Sequence, residues 1–197
     1  MNKPSIEQLK KVFWKKGYEL REGGYELNII GIRSDTAKPN SFDDLICVLF
    51  KDEYGDDTLL CFPATTDPGT YWLEHPMNIE GCAIMQEGHY KDVYKIGTHR
   101  GYKALQQIGS IHYVRDNDKD KVLDFDAPKK VVGVFATNIH HADPAEKSVL
   151  VDKWSAGCQV IQKGWQEFIE LCEKSRLITE CNLFNYTLIN LNDIKHA

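Results

Sequence analysis

The sequence predicts a mainly β, single-domain protein with a helix near each end of the fold. Two observations carry this. The first is a succession of β-branched and aromatic runs bounded by turn residues: Tyr25–Arg33, Leu45–Lys51, Thr58–Pro63, Cys82–Gln86, Val93–Gly97, Ile111–Arg115, Val131–Ile139 and Leu183–Leu191. The second is a length of 197 residues, enough for one well-buried core and short for two. No internal repeat, linker or low-complexity tract divides residues 1–197.

The N-terminal helix is predicted from Ser5 and Gln8, which stand at capping-box spacing. Ile6, Leu9, Val12 and Phe13 then recur on one helical face before Gly17 ends it. Asp52–Asp57 (DEYGDD) reads as a hairpin turn between two strands, and Asp67-Pro68-Gly69 as a further turn. Asp116–Lys121 (DNDKDK) reads as a solvated charged turn, because the glycine and glutamate of an EF-hand loop are missing. The later helix is marked by Trp165, Phe168, Ile169 and Cys172 at i, i+3, i+4 and i+7.

Composition narrows the function classes. Hydrophobic residues make up 42% and charged residues 27%, an ordinary globular balance. A net charge of −5 lacks the basic footprint of a nucleic-acid binder. No apolar run approaches the ~20 residues that span a bilayer, so no integral membrane segment is expected. The first residues carry charge but no continuous apolar core, so no secretory signal is read there, and the chain is expected to be cytoplasmic as synthesised. Six cysteines without an export signal are expected to be reduced. Cys47, Cys61, Cys172 and Cys181 sit in apolar contexts, and Cys158 is expected to be the most accessible thiol.

The chemistry concentrates between Asn138 and Ile161. His140 and His141 stand 18 and 17 residues before Cys158, and Ser155-Ala156-Gly157-Cys158 closes the stretch. A thiol attacks as its thiolate, and an imidazole is the usual means of making one. At this separation the chain must fold back through Ala142-Asp143-Pro144 and Val151-Asp152-Lys153 for the two to meet. Gly157, lacking Cβ, leaves room for substrate and backbone N–H groups beside the nucleophile. Side chains alternate along an extended segment, so only one of the two histidines can face Cys158. Asn138 shares the His140 face as an orienting group. A zinc site from His140, His141, Asp143 and Cys158 lacks tetrahedral-site spacing, so neither metal nor cofactor is called for.

Several nearby residues are read more plainly. Cys82 repeats a Gly-Cys pair but is read as core. His99 and Arg100, in GTHRG, lie on a turn after a predicted strand and either line the cleft or are merely solvated, with the solvated reading preferred. Trp154 stands either in the core or at the lip of a substrate groove.

These residues resemble the L,D-transpeptidase catalytic domain (YkuD-like). That family carries a histidine before a loop, then Ser-His-Gly-Cys, an apolar residue and an arginine. His140, Ser155, Gly157 and Cys158 match in register, whereas Ala156 and Val160 stand where the family has histidine and arginine. The match is best over residues 94–172. The order, histidine before cysteine, differs from papain-like and NlpC/P60-like enzymes.

The resemblance implies an L,D-transpeptidase-like β domain acting on peptidoglycan stem peptides. Cys158 would be the nucleophile, His140 the general base, and Ser155 and Gly157 parts of the catalytic turn. His141 and Trp154 would be substrate-binding residues. It leaves open whether water or an amine receives the acyl group. The absence of an export signal favours a lytic or virion-associated peptidase that reaches the wall by another route. The competing class is a catalytically inactive binding or structural module of the same fold.

Overall fold

The computed structural model describes residues 1–197 and is mainly β. Helix α1 (Ile6–Lys16) begins at the expected capping box: the Gln8 N–H donates to Ser5 Oγ and the Ser5 N–H to Gln8 Oε1. It ends at Gly17 in the left-handed conformation (φ 67°). Strands β1 (Asn28–Arg33), β2 (Asp44–Lys51) and β3 (Asp57–Thr65) follow, and β2 and β3 form the expected hairpin. After the turn at Asp67-Pro68-Gly69 comes a short helix α2 (Thr70–Glu74). Strands β4 (Cys82–Met85), β5 (Gly88–His99), β6 (Tyr102–Gln107), β7 (Ile111–Asp116), β8 (Lys129–Gly133), β9 (Ile139–His141) and β10 (Gln159–Ile161) come next. Helix α3 (Trp165–Thr179), strand β11 (Phe184–Asn190) and a one-turn helix α4 (Leu191–Lys195) complete the chain.

Eight strands close into a barrel in the order β1-β11-β5-β6-β9-β10-β3-β2, while β4, β7 and β8 form a separate three-stranded sheet. A cluster of 25 buried residues fills the barrel and joins it to both α3 and the small sheet, with Ile29, Phe62, Tyr94, Ile139, Phe168, Tyr113 and Tyr186 among its members. On the outside of the barrel, Leu9, Val12 and Phe13 of α1 cover Ile30, Ile32 and Leu45, so β1 and β2 are buried on both faces. Helix α3 presents Phe168, Ile169 and Cys172 to the core, as its periodicity predicts.

Four sequence readings need correction. Strand β6 was not expected, because Lys103, Gln106 and Gln107 give YKALQQ a weak β signal. It forms as the partner of β5 through a two-residue turn at Arg100-Gly101, both with positive φ (47° and 89°). The run Val131–Ile139 is two strands: β8 ends at Gly133 in the small sheet, and β9 begins at Ile139 in the barrel. Leu191 does not end the last strand but opens α4, capped by Asn190. Lastly, Cys47 and Cys61 form a disulfide with Cα atoms 4.1 Å apart, where reduced cysteines were expected. They sit directly opposite each other across the β2–β3 ladder, a register that spacing alone does not reveal.

The remaining thiols are Cys82, Cys158 and Cys172, all buried, and Cys181, which is partly exposed. Cys181, not Cys158, is thus the most accessible. Thiol titration in denaturant without reductant is expected to find four free thiols, and six after reduction; six without reduction would show that the Cys47–Cys61 bond is not formed.

Candidate active site

The site is built where the barrel meets the small sheet. β9 and β10 pair in parallel, with Ile139 opposite Gln159 and His140 opposite Val160. Parallel neighbours need a long crossover, and residues 142–158 supply it. Extending the register by one step sets Asn138 beside Cys158, and the Gln159 N–H donates to the Asn138 carbonyl at 3.0 Å. Alternation then puts Cys158, His140 and Val160 on the outer face of the barrel, with Ile139 and Ile161 inside.

The turn carrying Cys158 is held from within and without. Buried Ser155 donates its hydroxyl to the Cys158 carbonyl at 2.7 Å and accepts the Gly157 N–H at 3.2 Å. The Gly157 N–H is therefore committed to the turn, contrary to the expectation that it is free, whereas the Cys158 N–H makes no hydrogen bond. Gly157 has φ 113°, and a Cβ there would stand 2.5 Å from the Ala83 carbonyl of β4. Both conformation and the close approach of β4 demand glycine. The Gly69 N–H donates to the Ser155 carbonyl at 2.9 Å, and Trp72 Nε1 donates to the Lys153 carbonyl at 3.2 Å, fixing the crossover to the α2 segment.

His140 is 1% exposed. Its Nδ1 lies 2.7 Å from the His141 carbonyl, which can only accept, so Nδ1 bears the proton and Nε2 the free lone pair. Nε2 is buried without a hydrogen-bond partner. The Tyr102 hydroxyl lies 3.1 Å from the same Nδ1, and the His99 ring stacks on His140 at 4.1 Å. Asn138 orients His99 rather than His140, its amide donating to His99 Nδ1 at 3.0 Å.

No hydrogen bond joins His140 to Cys158. The thiol turns instead to the Ala136 carbonyl, 3.7 Å away. Burial pushes the Cys158 thiol up to about 11, against the pull of the Asn138 backbone N–H and the Arg100 charge. Burial, assisted by His99, pushes His140 down to about 3. Both directions favour the uncharged forms, so the resting pair is thiol and neutral imidazole rather than an ion pair.

Cys158 opens onto a cleft of about 440 Å³. Trp72 and Trp154 line it, and Cys82 and Ala83 belong to its β4 wall. Arg100, Arg115 and Lys153 also line it, and no carboxylate does. Arg115 is 7% exposed, packs over the Phe135 ring at 4.6 Å, and donates from Nη1 to the Gly81 carbonyl at 3.2 Å. Its Nε has no acceptor.

The sequence-predicted residues thus divide. Ser155, Gly157, Cys158 and His140 come together on one turn and the strand beside it, and Trp154 is a cleft residue. His141 does not line this cleft: it points to a separate hollow with Asp143 and Trp165, and its Nδ1 donates to the Ala142 carbonyl at 2.7 Å. Cys82 belongs to a small apolar cluster as expected, yet also faces the cleft; burial raises its thiol to about 12. His99 and Arg100 are not merely solvated turn residues, because the tight β5–β6 turn carries both to the cleft. Arg115 and Tyr102 were not singled out: each lies in a strand whose pairing only the fold reveals.

No family model, curated protein or solved structure matches the chain.

Gly157→Ala is expected to lower stability by about 1–3 kcal/mol through backbone strain and displacement of Ala83, read from chemical denaturation; an unchanged midpoint would mean that β4 yields without cost. The raised thiol gives a second test. Because only thiolate is alkylated, the rate of iodoacetamide labelling at Cys158, followed by peptide mass, should keep climbing toward about pH 11 in the free protein. A plateau reached below pH 7 would instead reveal a preformed thiolate–imidazolium pair.

Proposed function

We propose that the protein is a cysteine-dependent acyl-transfer enzyme acting on peptidoglycan stem peptides, with Cys158 as nucleophile and His140 as general base. The observation that carries this reading is the buried, unpartnered Nε2 of His140, fixed in its basic tautomer on the same strand face as a cleft-lining thiol. In the proposed reaction a rotation of the thiol away from Ala136 brings its proton to Nε2, and Sγ attacks the carbonyl of the scissile amide. The Cys158 N–H receives the developing oxyanion, a contribution of roughly 3 kcal/mol by comparison with oxyanion-hole donors elsewhere. His140 then protonates the leaving amine, and water or a second amine resolves the thioester.

The three cations of the cleft support a substrate that carries carboxylates, as stem peptides do. The family's arginine is Val160 here, a buried residue opposite His140. In this reading Arg115, which lines the cleft, supplies a guanidinium from β7 instead, as donor to a carboxylate. The Cys47–Cys61 disulfide agrees with an oxidising working environment, such as the outside of a cell envelope. No helix is long and apolar enough to cross a membrane.

A second reading, a peptidoglycan-binding module without activity, is favoured by the raised thiol and by the missing His140–Cys158 hydrogen bond. Digestion of purified peptidoglycan separates the two. Wild type is expected to release stem-peptide fragments, Cys158→Ala and Cys158→Ser essentially none, and His140→Ala about 10²–10⁴-fold less. His141→Ala and Cys82→Ala should retain most of the rate. Equal release by wild type and Cys158→Ala would remove the thiol from the mechanism, and no release from walls of several cross-link types would favour the binding module.

A further inference from the structure

The connection from β7 to β8 holds a second constellation, outside the cleft. In DNDKDKVLD, Asp116, Asp118, Asp120 and Asp124 occupy the first, third, fifth and ninth positions. One carboxylate oxygen from each of Asp116, Asp118 and Asp124 lies within 4.8 Å of the other two. Asp116 is the decisive member. It is 1% exposed, its Oδ2 accepts the Asp124 N–H at 3.1 Å, and its Oδ1 is buried with no partner at all. A buried carboxylate with an unpartnered oxygen, set beside two other carboxylates, is costly unless a proton or a cation joins them.

Lys121 pairs with Glu74 and Lys129 with Glu80, and Lys119, inside the loop, makes no ion pair with the three carboxylates. Arg115, the preceding residue on β7, donates to the Gly81 carbonyl and lines the cleft.

We propose that Asp116, Asp118 and Asp124 form a calcium site. All the donors are hard oxygens, which suit calcium or magnesium and not zinc. Spacing at one, three, five and nine is that of a calcium loop, in which the seventh residue, here Val122, contributes its backbone carbonyl. Lys121 and Ala127 stand where an EF-hand has glycine and its bidentate glutamate, so this is a looser loop than an EF-hand. Calcium tolerates an irregular shell that magnesium does not, and an affinity of about 10⁻⁵–10⁻³ M is in keeping with the ligand set. The ion would tie the end of β7 to the loop that follows. Because Asp116 pairs with Cys82 and follows Arg115, it would also brace the cleft wall. This site stands on its own observations, whether or not Cys158 is a nucleophile.

The test is calorimetric titration of the EDTA-treated full chain with calcium chloride, beside Asp118→Asn/Asp124→Asn, whose two positions are not buried. One ion per wild-type chain is expected, with magnesium at least tenfold weaker and calcium binding lost in the double variant. Thermal unfolding should follow, with millimolar calcium raising the wild-type midpoint and leaving that of the variant unmoved. No calcium binding by wild type, or equal binding by the double variant, would overturn the proposal.

Discussion

The parallel pairing of β9 with β10 is the constraint on which the site depends. Each strand contributes only three residues, yet between them they set the positions of His140 and Cys158. So short a ladder is weak alone, and its surroundings hold it. Gln159, next to the thiol, accepts the Tyr186 hydroxyl at 2.6 Å and donates to the Thr66 carbonyl at 3.3 Å. Thr66 belongs to a buried polar group in which Arg33 pairs with Asp67 at 2.8 Å and reaches the Met85 carbonyl of β4 at 2.9 Å. Arg33 thereby ties the barrel to the small sheet. The Asn40 side chain, hydrogen bonded to Asp152, secures the middle of the crossover. A buried polar network of this kind specifies one arrangement where apolar packing alone would permit several.

The electrostatics follow from the same packing. Placing His140 under the His99 ring and against the strand removes water from both ring nitrogens, and one carbonyl compensates only Nδ1. A charged pair in that position would need more partners than the walls offer. The site therefore rests uncharged and surrounds itself with cations on the cleft side, Arg100, Arg115 and Lys153.

Much of this was legible in the sequence, for reasons that differ by element. Ser5 and Gln8 announce α1 because capping is local, and Trp165, Phe168, Ile169 and Cys172 announce α3 because a stripe needs only its own period. Ser155, Gly157 and Cys158 were legible because one turn contains them all. Pairing partners were not legible. Cys47 faces Cys61, β6 joins β5, and Arg115 faces the cleft because of registers set across the sheets. The division of Val131–Ile139 between two sheets escaped for a related reason: Ala136, at φ 57°, turns the chain inside a run whose side chains all look extended. His99 and Arg100 were visible as a turn, but a turn does not say what it overlooks.

The central claim is that Cys158 forms a covalent acyl intermediate at the expense of an amide. Intact mass and peptide mapping of the protein, quenched in acid after brief exposure to purified stem peptides, test it most directly. An adduct equal to the acyl fragment is expected, carried as a thioester on the peptide containing Cys158 and absent when His140 is alanine. Release of products with no adduct under any quench time, or an adduct on a different residue, would contradict it.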